Sequence, residues 1–287
     1  MIDTANLATT SAARGSLVRP VTFGRLLTSE WIKLRSLRST WWTLGVTVLL
    51  FVAIAILRAW DAAADPGDAE AAAAQAGASY VTGGWILAQL VVCVLGVLAI
   101  SGEYGTGQIR STLAAEPRRV PVLLAKLVVL VTTVYVVMLV AVGLAWAGSW
   151  AWFADVGLTV DLTEPGDLRL LLGTPLYLAT LTALAFGFGA LLRSSAAGIA
   201  TVLGVLLVLE GALSFVRVHA VEVLVQLLPA RAGTLVVQDK ASLDSSAWYA
   251  RSENLPALGP WEGYGVLVVW VVVVLGAAAV LLRRRDA

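Results

Sequence analysis

Six apolar stretches, each of 18 residues or more, leave this chain few ways to fold. They cover residues 41–60, 83–100, 120–147, 170–192, 198–216 and 263–282. About 20 apolar residues in a helix span the hydrocarbon layer of a bilayer, where every backbone amide must be satisfied inside the protein. The expected fold is therefore an all-α polytopic membrane protein with six transmembrane helices. Composition agrees: 14% of residues are charged, against about 25% in a soluble domain, and 59% are hydrophobic. The first and last stretches are the cleanest. The fourth carries Gly173, Pro175, Gly187 and Gly189, and the fifth carries Glu210.

An even number of crossings leaves both termini on one side, and the basic residues decide which. One face collects Arg14, Arg19, Arg25, Lys33, Arg35, Arg38, Arg110, Arg118, Arg119, Arg193 and the tail Arg283, Arg284 and Arg285, thirteen in all. The other face has Arg58, Arg169, Arg217, Arg231, Lys240 and Arg251, six in all. Both termini are expected in the cytoplasm and the chain in the cell membrane. The first 40 residues hold six Lys/Arg and no short apolar core before a small-residue cleavage site, so they do not read as a secretory signal. A net charge of +1 offers no bulk electrostatic attraction to nucleic acid. The single cysteine, Cys93, excludes an intramolecular disulfide and reads as an inert buried thiol. The single histidine, His219, excludes a His-rich metal site, and no bound metal is expected. Trp41, Trp42, Trp60, Trp85, Trp146, Trp150, Trp152 and Trp261 lie near span ends and read as headgroup-level anchors.

Residues 1–22 read as a flexible cytoplasmic segment. Over 23–40, Phe23, Leu27, Trp31, Leu34 and Leu37 recur at steps of three and four, with Arg25, Ser29, Lys33, Ser36 and Arg38 around the rest of the circumference. That pattern predicts an amphipathic basic helix lying in the interface, in which Glu30 and Lys33 pair one turn apart. Between the second and third spans lies the polar stretch 101–119, SGEYGTGQIRSTLAAEPRR. It falls short of a phosphate loop, because Gln108 and Ile109 occupy the places of the required lysine and hydroxyl. It reads instead as a short helix over 107–115, freed from the membrane helix by Gly102, Gly105 and Gly107. Tyr104, Ile109 and Leu113 would form an exposed apolar knob, flanked by Glu103, Arg110 and Arg118 and suited to a groove on a cytoplasmic partner.

Glu210 reads as the ionisable residue set well inside a span, facing the bundle interior or a wet cavity, where it would lie on the substrate path and bind a cationic substrate, take part in proton movement, or merely bond to a neighbouring helix. Residues 148–169 read as a solvated loop. Residues 217–262 begin with an apolar piece interrupted by Pro229, either a shallow re-entrant helical pair or a surface helix, and continue as a polar, irregular segment. Residues 283–287 form a basic cytoplasmic tail.

Taken together, SEWIKLRSLRSTWW, six spans, GEYGTGQIRSTLAAEPRR and the looser match LLPARAG resemble the permease subunits of ABC-2-type transporters, particularly the short actinobacterial form. The resemblance covers nearly the whole chain. It implies that 23–40 is the interfacial elbow helix, with Glu30, Trp31, Lys33 and Arg35 on it. It implies that 103–115 holds a coupling helix, with Glu103, Tyr104, Ile109, Arg110 and Leu113 meeting a separate cytoplasmic ATPase. ATP and magnesium would be bound by that ATPase and no cofactor by this chain, which would not itself be an enzyme. The substrate path would run through a pair of permeases, either two copies or this chain and a homologue, embedded in membrane lipid. No strongly charged cavity is visible, which favours export of an apolar or amphipathic compound. Two other readings stand beside this one: a proton-coupled secondary transporter using Glu210, and a regulatory membrane protein without transport activity.

Overall fold

The computed structural model describes residues 22–64, 77–108 and 119–284. It is 87% helical, with no strand among the described residues. The helices are α1 (Phe23–Ser36), α2 (Arg38–Ala64), α3 (Gly77–Thr82), α4 (Trp85–Gly105), α5 (Arg119–Val156) and α6 (Pro165–Leu192). They continue with α7 (Ser195–Leu203), α8 (Glu210–Leu213), α9 (His219–Gln226), α10 (Pro229–Thr234), α11 (Lys240–Ser252) and α12 (Pro260–Arg284). A π-helical turn, Gly204–Leu209, joins α7 to α8, and a 3₁₀ turn, Leu235–Val237, follows α10. Among the described residues, six helical segments are long and apolar enough to cross a membrane: Arg38–Ala64, Gly77–Gly105, Val120–Val156, Pro165–Leu192, Ser195–Leu213 and Pro260–Leu282.

The breaks between helices have local causes. Leu37 is extended (φ −82°, ψ 107°) between α1 and α2, and the Trp41 indole N–H donates to the Arg35 carbonyl at 3.0 Å across the bend. Pro165 opens α6, where its missing amide would have had no helical partner anyway. At the other end of α6, Arg193 turns left-handed (φ 53°), and the Ser194 hydroxyl then caps α7 by accepting from the Ala197 amide.

The fourth span, α6, is the hub of the bundle. It packs against α3, α4, α5, α7 and α12. Of its most apolar window 72% is buried, against 17% for the fifth span. Small residues allow that closeness. A Cβ at Gly96 would sit 2.5 Å from the Thr182 carbonyl oxygen, so only glycine lets α4 and α6 meet at this crossing. Polar links fasten the core further: the Tyr177 hydroxyl donates to Gln89 at 3.0 Å, and Thr180 and Tyr264 share a hydrogen bond of 2.8 Å.

Several expected boundaries move. The third span continues through Val156, so 148–156 is helix with Ser149 and Phe153 buried, not solvated loop. The short connection that remains is organised by Asp161, which accepts from the amide and hydroxyl of Thr163. The second span continues through Gly105, past its expected end at residue 100, and of the three glycines expected to permit a break it is Gly107 that turns, with φ +72°. Residues 219–237 form a helix pair bent by 45°, the geometry of a broken span or a re-entrant loop. Its second arm is buried, and the pair is tied down by Trp270 donating to the Leu227 carbonyl and Arg169 donating to that of Val236. The segment after it is not irregular: Asp239 accepts from the Ser242 amide and starts α11. Of the eight span-end tryptophans, Trp41, Trp42, Trp60, Trp150 and Trp261 are exposed as anchors should be. Trp85, Trp146 and Trp152 pack partly inward, Trp85 edge-on to Tyr177.

Candidate functional site: an ionic cluster behind α1

The last turn of α4 carries Glu103 and Tyr104 and brings Glu103 to Glu30 and Lys33 of α1. At the α1 end of the bundle, α1, α4 and α5 each contribute charge to one buried cluster. The Lys126 ammonium, from α5, donates to Glu30 Oε2 at 2.5 Å and to Glu103 Oε1 at 2.8 Å. Lys33 donates to Glu30 Oε1 at 2.8 Å and lies 3.5 Å from Glu103 Oε1. Glu30, Glu103 and Lys126 are only 5%, 8% and 9% exposed. Burial opposes the charge on Glu30, but Lys126 and then Lys33 outweigh it and hold the carboxyl below its ordinary value. Burial likewise opposes the charge on Lys33, and Glu30 and Glu103 hold its ammonium above its ordinary value. Two carboxylates and two ammoniums thus fasten three elements together.

The opposite side of the same turn is anchored as well. The Arg193 guanidinium lies over the Tyr104 ring at 5.1 Å, and the Ser101 and Ser195 hydroxyls are 2.8 Å apart. This turn is therefore in direct contact with α1, α5 and the α6–α7 turn.

The structure rearranges the expected site. Glu30 and Lys33 do pair, but they face the protein, so the inward line of α1 runs through Leu26, Leu27, Glu30, Lys33 and Leu34. Trp31 and Arg35 are exposed. Glu103 is turned inward, and Tyr104 is half-buried against Arg193. Ile109, Arg110 and Leu113 lie outside the described residues. Sequence reasoning passed over Lys126, although a signal was there: thirteen and six basic residues on the two faces leave one of twenty unassigned. Glu210 is not deep in a span. It stands three residues before the end of the fifth span, 3.5 Å from Arg231, and lines a polar cleft of about 360 Å³ with Arg217, Glu222 and Tyr249.

A scan against protein families matches residues 27–287 to a family described as "ABC-2 family transporter protein". The chain belongs to the ABC-2 transporter family. It is a multi-pass membrane permease of an ABC transporter, and ABC-2 permeases typically work with an ATPase partner. A search of curated proteins finds no match. The ABC-2 match begins inside α1, so the cluster formed by Glu30, Lys33, Glu103 and Lys126 lies wholly within the family region.

Proposed function

We propose that this ABC-2 permease exports an apolar or amphipathic compound, driven by a separate cytoplasmic ATPase that seats on the 101–119 segment. It would work beside a second copy or a homologous permease. The observation that carries the reading is the buried cluster immediately behind that segment. The segment follows the Glu103 turn in sequence and precedes α5, whose second turn ends near Lys126. A push on it is delivered to two charges bonded to each other and to α1. ATP and magnesium would be held by the ATPase, and the permease would make no covalent bonds. Closure of the ATPases would shift the bundle between two states, by as much as the segment fits its partner better in one state than in the other. Glu210, beside Arg231 near the end of its span, has the setting of an ion pair between the fifth span and α10 more than that of a proton carrier.

Affinity purification of the chain from its native host in mild detergent tests the reading. A soluble protein with a phosphate-loop lysine should copurify with the native chain. It should be lost when Ile109, Arg110 and Leu113 are changed to Asp, Glu and Asp. Absence of any ATPase from both preparations would sink the coupling proposal.

A further inference from the structure

The ionic cluster forms part of the lining of a cleft of about 430 Å³ between α1, α2, α4 and α5. Small-molecule sites run from about 300 to 1,000 Å³, so the cleft has room for a lipid head. Leu34, Leu95, Ala99 and Leu130 supply apolar walls, and the exposed Leu37 and Leu98 also line it. Trp31, Trp41 and Trp42, on the helices beside it, are exposed, and tryptophan favours the headgroup layer. The cleft therefore opens to the bilayer at headgroup depth.

Two observations narrow the ligand. Glu103 lines the cleft, and while its Oε1 meets both lysines, its Oε2 is buried with no hydrogen-bond partner among the described residues. A buried carboxylate oxygen without a donor is costly, and a ligand carrying an N–H would satisfy it. Among the described residues the cluster is neutral, with Glu30 and Glu103 against Lys33 and Lys126. A ligand with net charge would bring an uncompensated charge beside it, whereas a zwitterion would not. Ser39 and Thr40, in the first turn of the 27-residue α2, line the same cleft; the Thr40 amide is taken by the Leu37 carbonyl, but the positive end of a long helix's dipole still favours a phosphate.

We propose that this cleft holds a membrane lipid whose zwitterionic head bears a primary ammonium, phosphatidylethanolamine. Its ammonium donates to Glu103 Oε2, its phosphate faces the first turn of α2, and its chains lie along Leu37 and Leu98. Phosphatidylcholine has no N–H to donate, and phosphatidylglycerol brings net charge. Binding needs neither an ATPase nor transport, so it stands or falls separately from the export reading.

Native mass spectrometry of the full chain, exchanged into equal amounts of the three lipids, tests this. Phosphatidylethanolamine should be retained about tenfold or more over phosphatidylcholine, the range for one hydrogen bond to a charged group. Glu103→Gln should remove the preference. Ala99→Phe, which fills the cleft and leaves the cluster intact, should remove the bound lipid altogether. Equal retention of the lipids by the native chain overturns the proposal whatever the variants do. Unchanged retention by a folded Ala99→Phe chain overturns it too.

Discussion

Without the Lys126 ammonium, the carboxylates of Glu30 and Glu103 would be left buried with only Lys33 beside them. Breaking a buried pair by removing one partner costs about 3–5 kcal/mol, mostly because the other charge is stranded. Lys126→Gln is therefore expected to lower the thermal midpoint in detergent sharply. Adding Glu30→Gln should recover part of the loss, with a coupling of about 1–3 kcal/mol in the double-mutant cycle. Additive effects would mean that the two side chains do not interact. The same cluster makes the docking of α1 depend on pH. The Glu30 carboxyl is depressed below 4.5, so its contribution is complete above that value and is lost as pH falls through the folded value. The Lys33 ammonium is raised above 10.5, so its contribution is complete below that value and is lost as pH rises through the folded value. A spin label at Ile32, exposed on α1, should stay immobile across neutral pH and loosen only in acid below 4.5 or in alkali above 10.5. Loosening near neutrality would contradict this. The Glu30–Lys33 pair was legible from spacing alone. Its burial was not, because that depends on Lys126 and Glu103, which are distant in sequence and brought together only by the packing of α4 on α5.

At the scale of elements, the crossing of α4 and α6 at Gly96 sets how tightly the hub closes. Gly96→Val would drive a branched side chain into the Thr182 carbonyl, and overpacking of this kind costs about 1–3 kcal/mol. The expected result is a lower thermal midpoint, with a milder loss for Gly96→Ala. The exposed Gly143 of α5, where a Cβ meets nothing within 4 Å, should accept alanine without loss. Equal tolerance at the two glycines would refute the close approach. All six spans could be read from the sequence, because 18 or more apolar residues admit hardly any other fold. Their ends could not. Residues 148–156 mix Ser149 and Asp155 with aromatic residues, yet the polar Ser149 is buried inside the third helix. The helix α11 is mostly polar, so no apolar stripe announces it, and its start depends on the single Asp239 cap.

At the scale of the molecule, the side on which the α1 end lies decides whether an ATPase can reach the 101–119 segment. The sequence assigns thirteen basic residues to one face and six to the other, and on that count we propose that α1 and both termini are cytoplasmic. Cys93 is fully buried, so the native chain supplies little background for thiol labelling. Single cysteines at Ser29 on α1 and Ser245 on α11 are both exposed and lie at opposite ends of the bundle. On intact cells a membrane-impermeant maleimide should label the Ser245→Cys chain at once, and the Ser29→Cys chain only after permeabilisation. The reverse pattern would put the ionic cluster and the 101–119 segment outside, where no ATP is available, and the coupling proposal would fail with it. The fold would survive, since the packing of α6 against its neighbours is the same for either orientation. Orientation is thus carried by the charges at the ends of the spans, and the bundle by the apolar and small residues between them.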